Sequence, residues 1–206
     1  MEIAGTLASI LAVLIVGVMS PGPSFLLVAQ TAVGQSRRAA MASALGMAAG
    51  ATVLCCLALL GLHALFQQFP SAYLVLKIVG ALYLLRLAYR MWAGATTEIG
   101  IPEAQAPSGS PLRHFAVAMG VMLTNPKAAV QYGVVFGSFL PQHPSRALVL
   151  LLPPCVFIME AGWYTLVACV LSAPVPRNSY LGAKRYIDRG AAVVLGGFGL
   201  KLLASI

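Results

Sequence analysis

The chain has 206 residues, of which 60% are hydrophobic and only 9% charged, with a mean hydropathy of +0.89. A soluble domain carries about a quarter charged residues, and so short a chain has too little interior to bury this much apolar surface. That excludes a soluble globular domain and points to an integral membrane protein with the lipid bilayer around it. The net charge of +8 comes from 13 Lys and Arg against 5 acids; the bases stand at the ends of apolar runs, which reads as an orientation signal and not as a nucleic-acid surface.

In chain order the apolar runs cover 4–33, 39–66, 72–92, 114–140, 147–172 and 189–206, close to the roughly 20 residues that a spanning helix needs. The expected fold is an all-α integral membrane protein of six transmembrane helices, one domain over 1–206. The first run lacks a basic start, since Glu2 is its only charge, and continues past Pro23. It reads as the first membrane helix and not as a removed signal peptide. The second run holds Gly46 and Gly50, a GxxxG pair that allows close helix contact and permits a homodimer without requiring one. The third starts with Lys77 and Tyr83, and a Pro-, Gly- and Ser-rich stretch over 94–112 follows it. The fourth contains Gln131 and Tyr132, the fifth Glu160 and Trp163 after Pro153-Pro154, and the sixth is rich in glycine.

The gaps between runs are of two kinds. Arg37 and Arg38 follow the first run, Arg86, Arg90 and Arg113 flank the third gap, and Arg177, Lys184, Arg185 and Arg189 fill the fifth. The second gap has no charge and the fourth only Arg146. The positive-inside rule places the basic gaps in the cytoplasm and both termini outside. Cys55, Cys56, Cys155 and Cys169 lie within apolar runs without a CxxC pair and read as small core residues. His63, His114 and His143 are scattered. No HExxH, Walker loop or dinucleotide fingerprint occurs, so neither enzyme chemistry nor a nucleotide pump is expected, and no cofactor or metal; the energy source is a gradient.

Two runs are broken. Ser20 before Pro21 is a helix-start signal, a capping residue and then proline at the first helical position; Asn125 before Pro126 is the same signal. Each broken run is expected to hold a second half-helix that starts within the membrane, near residues 21 and 126. Pro21 is 16 residues from Arg37 and Pro126 is 13 from Arg113, about 24 Å and 20 Å along a helix, deep in a core about 30 Å thick. The broken runs are the first and the fourth, an odd offset of three, so two three-helix halves, about 1–93 and 113–206, would cross in opposite directions as an inverted repeat. Half-helix N-termini attract anions, which makes Ser20, Pro21, Gly22, Pro23, Ser24, Asn125, Pro126 and Lys127 the expected binding residues for a substrate carboxylate.

Glu160 lies near the middle of the fifth run. A carboxylate at the bilayer centre costs about 2.5–3.5 kcal/mol on insertion scales, so it must pair, meet water or take up a proton; it is the expected proton-coupling residue. Lys127, near a helix N-terminus where a cation is unfavourable, is its expected partner in one state and a contact for the substrate carboxylate in another. Gln30, Lys77, Tyr83, Gln131, Tyr132 and Trp163 are further polar or aromatic groups for a cavity.

At these residues the sequence resembles the LysE/RhtB family of bacterial amino-acid exporters. The matching stretches are PGPSFLLVAQTAVGQSRRAAMASALGMAAGA over 21–51, LKIVGALYLLRLAYRMW over 76–92 and LTNPKAAVQYGVVFGSFLPQ over 123–142. IMEAGWYTLVACVLS over 158–172 and DRGAAVVLGGFGLKLL over 188–203 also fit the pattern. The resemblance implies export of amino acids or related small metabolites across the bacterial inner (cytoplasmic) membrane, driven by an ion gradient; with Glu160 in the fifth run, proton antiport is the expected coupling. Two positions depart from the pattern: Glu160 stands where the family often has aspartate, and Ser24 where asparagine often follows PGP. Metal-ion efflux, an intramembrane enzyme and a structural role are the alternatives. The first would need convergent Cys, His and acid ligands, the second a nucleophile with its base, and the third leaves two deep breaks and a buried carboxylate without purpose.

Overall fold

A computed structural model of the protein describes residues 2–69, 71–97 and 109–206, with the side chains of Glu2, His63 and 174–180 left aside. Most of the expected connection over 94–112 therefore lies outside the described residues, as do the side chains of His63 and Arg177. Eight helices run through the described part: α1 (Glu2–Met19), α2 (Pro23–Gly34), α3 (Arg37–Gln68), α4 (Ala72–Gly94), α5 (Pro111–Leu123), α6 (Pro126–Phe139), α7 (Arg146–Leu171) and α8 (Pro174–Leu203). Serine caps fix several starts, because a side-chain oxygen accepts one of the orphan N–H groups of the first turn. Ser36 accepts from the Ala39 N–H at 3.2 Å, Ser110 from Arg113 at 3.4 Å and Ser145 from Leu148 at 3.2 Å.

Both broken runs are broken helices. α1 and α2 meet at 58°. The second half-helix starts at Pro23, not at Pro21 with Ser20 as its cap. Gly22 precedes a proline and is pushed out of the helical region; it stands extended, at φ −157° and ψ −172°, and is itself the N-cap. Ser20 belongs to the turn that closes α1, its N–H reaching the Gly17 carbonyl at 3.3 Å. The fourth run breaks where expected: Asn125 caps α6, its Oδ1 accepting from the Lys127 N–H at 3.0 Å, and Pro126 takes the first helical position.

α3, α4 and α7 are long and apolar enough to cross a membrane, and the bent pair α1–α2 passes the same test, while α5 is a shorter apolar helix. α8 begins at Pro174, well before the expected residue 189, so Lys184, Arg185 and Arg189 stand on a helix and not in a loop. With Asp188 they make its first half polar.

The most extensive contacts are α3 with α5, α4 with α8 and α3 with α7. Gly46 and Gly50 explain the first. A Cβ on Gly46 would run into the Phe115 carbonyl of α5, and one on Gly50 would come within 2.8 Å of the Met122 Cβ. The GxxxG pair thus joins two helices of the same chain. α1 packs on α6 and α2 on α5, and the two breaks lie together between the long helices.

Candidate functional site

α7 is buried along Leu148, Leu152, Val156, Glu160, Tyr164 and Val167, close to a four-residue spacing that lays one stripe along a helix. Glu160 interrupts that stripe and is 1% exposed. Its Oε1 accepts from the Tyr132 hydroxyl of α6 at 2.8 Å. Its Oε2 has no partner, and among the described residues the other such buried side-chain atom is Trp163 Nε1. A buried unpartnered acceptor calls for an explanation, because leaving one unmade costs about 1–3 kcal/mol or more.

The breaks are tied to each other beside it. Asn125 Nδ2 donates to Ser24 Oγ at 2.9 Å, which links the cap of α6 to the first turn of α2. The two half-helix starts are not equivalent. Asn125 closes that of α6, whereas Gly22 brings no side chain to the first turn of α2. The Lys127 ammonium donates to the carbonyls of Gly17 at 3.1 Å and Ser20 at 2.7 Å. Its location is therefore favourable: it caps the C-terminal end of α1, where a cation meets the negative end of the helix. Gln131 extends the same seam, donating to the Leu14 carbonyl at 3.0 Å, and a Cβ on Gly17 would strike its side chain.

Two cavities meet at this point. The inner one, about 30 Å³, is lined by Ser24, Asn125, Lys127, Gln131, Tyr132 and Glu160 among others. That holds about two water molecules and no amino acid. The outer one, about 830 Å³, opens along α4 and α8 past Pro21, Pro23, Tyr83, Arg86, Arg90 and Lys184. Ser20, Gly22 and Lys127 line both. Lys127 thus stands at the boundary.

All eight residues expected from the breaks line one or both cavities, together with Glu160, Gln131, Tyr132 and Tyr83. Gln30 and Lys77 line neither; the Lys77 ammonium lies 5.0 Å from the Tyr73 ring centre instead. Trp163 lines a separate apolar pocket with Leu166 and Val170. The Lys127–Glu160 ion pair, expected in one state, is absent from this one; the pair found among the described residues is Lys184–Asp188, at 2.7 Å. Asp188, 4% exposed, is a second buried acid that the sequence reading passed over because it sat among bases assigned to a loop. Tyr164 was also missed, although it stands one turn from Glu160 on the same face.

Apolar helices around a broken-helix centre with a buried carboxylate and a lysine define a helical membrane protein with a polar interior. Residues 15–205 match the family described as LysE type translocator, and the chain belongs to that family. It is 33% identical over 193 residues to the threonine efflux protein of Escherichia coli (strain K12), covering 93% of this chain and 94% of that one. It is 32% identical over 145 residues to the homoserine/homoserine lactone efflux protein of Salmonella typhimurium, covering 69% and 68%. An uncharacterized membrane protein of Haemophilus influenzae is 25% identical over 190 residues, covering 91% and 90%. No solved structure matches.

Proposed function

We propose that this chain is a secondary exporter of small amino acids, with threonine and homoserine the first to test, and that it exchanges them for protons across the bacterial cytoplasmic membrane. The observation that carries the reading is the meeting of both helix breaks, through Asn125 and Ser24, over a cavity that holds Lys127 and the unpartnered Oε2 of Glu160. A zwitterion needs one group of each sign. Lys127 and the first turn of α2 suit its carboxylate, and Glu160 suits its ammonium. A proton and an ammonium cannot occupy the same Oε2 together, so Glu160 would carry one outward and the other inward. That exclusion is the coupling.

The same reading takes α1–α2, α3, α4, α5–α6, α7 and α8 as six spans, both termini outside, in two inverted halves. Exchanging α1 with α5, α2 with α6, α3 with α7 and α4 with α8 turns the α1–α6 contact into α2–α5, and α3–α5 into α1–α7. It also turns α2–α7 into α3–α6. The α4–α6, α2–α3 and α1–α8 contacts have no counterparts of comparable extent between α8 and α2, α6 and α7, and α5 and α4, and the wide cavity is lined from α2, α4, α6 and α8. In this reading the wide cavity is the open side of the inverted repeat; it is the side of Arg86, Arg90 and Lys184, the cytoplasm by the positive-inside rule. No observation favours the metal-ion alternative, since among the described residues no three His, Cys, Asp or Glu groups come together to hold an ion.

The test is uptake of a labelled amino-acid panel into inside-out vesicles, with and without an acid interior. Gradient-stimulated uptake of one or a few amino acids is expected. Tight vesicles containing the protein that take up none would overturn the reading.

A further inference from the structure

The wide cavity contains more positive charge than the exchange at Glu160 uses. Tyr83, Arg86, Leu87, Arg90 and Gly94 follow one another at helical spacing along α4, and all line it. Arg86 and Arg90 are exposed and four residues apart, so they repel each other along the helix face. Neither has an ion-pair partner among the described residues. Asp188 is the one acid among the described residues lining the cavity, and it is already held by Lys184, which also donates to the Gly94 carbonyl at 3.0 Å. Among the described lining residues four cationic groups, Arg86, Arg90, Lys127 and Lys184, thus face one carboxylate, a formal excess of +3. Clefts lined by one sign of charge raise the local concentration of the opposite sign, and a guanidinium matches a carboxylate with two parallel hydrogen bonds. The volume of about 830 Å³ falls in the range of small-molecule sites, about 300–1,000 Å³.

We propose that Arg86 and Arg90, with the Tyr83 hydroxyl on the same face, form a first carboxylate-binding site in the wide cavity, separate from the inner site at the two breaks. It rests on the exporter reading. The amino acid is captured there by its carboxylate and passes inward to Lys127, the next cation along the cavity wall. The pair raises the occupancy of the inner site at low substrate concentration and has no part in the proton exchange itself.

Labelled threonine uptake into inside-out vesicles, whose cytoplasmic face meets the medium, tests this. Arg86→Gln with Arg90→Gln is expected to raise KM by about tenfold, near threefold for each exposed charge. The wild-type KM is expected to rise with ionic strength and that of the double variant to stay flat. Arg86→Lys with Arg90→Lys, which keeps the charge, is expected to recover most of the KM and to report that the fold is intact. Arg38→Gln removes one positive charge from an exposed position outside the cavity and is expected to leave KM alone. An unchanged KM in the double glutamine variant, or an equal rise in Arg38→Gln, overturns the site. So does a wild-type-to-variant difference that vanishes in vesicles without anionic lipid, because the arginines then bind lipid headgroups. A wild type that transports no amino acid strikes the exporter reading itself, which separates the two failures.

Discussion

At Glu160 one carboxylate oxygen is bonded to Tyr132 and the other to nothing, so glutamine in its place keeps the first bond and loses the charge. Glu160→Gln is expected to fold normally and to lose the stimulation of uptake by an acid vesicle interior. A variant that still responds fully to the gradient removes Glu160 from the coupling. Lys127 differs in kind, because it is tied to the backbone. Lys127→Met leaves the Gly17 and Ser20 carbonyls without their shared donor, and about 1.5–3 kcal/mol of stability should be lost, the range for hydrogen bonds from charged groups. Thermal unfolding in detergent reads this as a lower midpoint, alongside a fall in transport. The sequence made Lys127 conspicuous because a cation sits badly at a helix start. What it concealed was the end of α1, 110 residues away in the chain, whose carbonyls make the placement favourable.

Elements were legible to the degree that their ends carry local chemistry. Asn125-Pro126 spells a capped helix start and is one. Ser20-Pro21 spells the same and is not, because a second proline two residues later decides where α2 begins. The start of α8 was hidden for another reason: Lys184, Asp188 and Arg189 lie on a helix packed against α4, and tertiary contact overrides what looks like a polar loop. Arg189 stacks over Trp92 at 5.3 Å there. The GxxxG pair was read correctly as a close-contact face, but its partner, α5, is not encoded nearby. Gly46→Ala is expected to destabilise by about 1–3 kcal/mol, the cost of overpacking, since the obstacle is the backbone carbonyl of Phe115. Folded yield after size-exclusion chromatography measures it, and Gly61→Ala, with open space at that glycine, is the control.

Across the whole molecule, the α4–α6 contact is the one that the exporter reading expects to part. A Cβ on Gly137 would lie 3.2 Å from the Leu76 Cβ, and a shift of a few tenths of an ångström brings that to disulfide spacing, about 3.5–4.5 Å. In a chain whose four natural cysteines are replaced, Leu76→Cys with Gly137→Cys is expected to close a disulfide on oxidation and stop transport, with recovery under a reducing agent. Undiminished transport in the oxidised protein means that α4 and α6 need not part, and removes alternating access between the halves. Such relations between distant elements leave the weakest trace in a single sequence: the two breaks were legible there, and which helices pack across them was not.

Lys127 at the boundary of the two cavities has a consequence for the cell on the exporter reading. Before a solute reaches Glu160 it must draw that ammonium away from two carbonyls, and the free energy of those bonds is subtracted from binding. Weak apparent affinity is then built into the resting fold. A protein of this kind behaves as an overflow valve: it leaves the working pool of its amino acid untouched and drains only the excess.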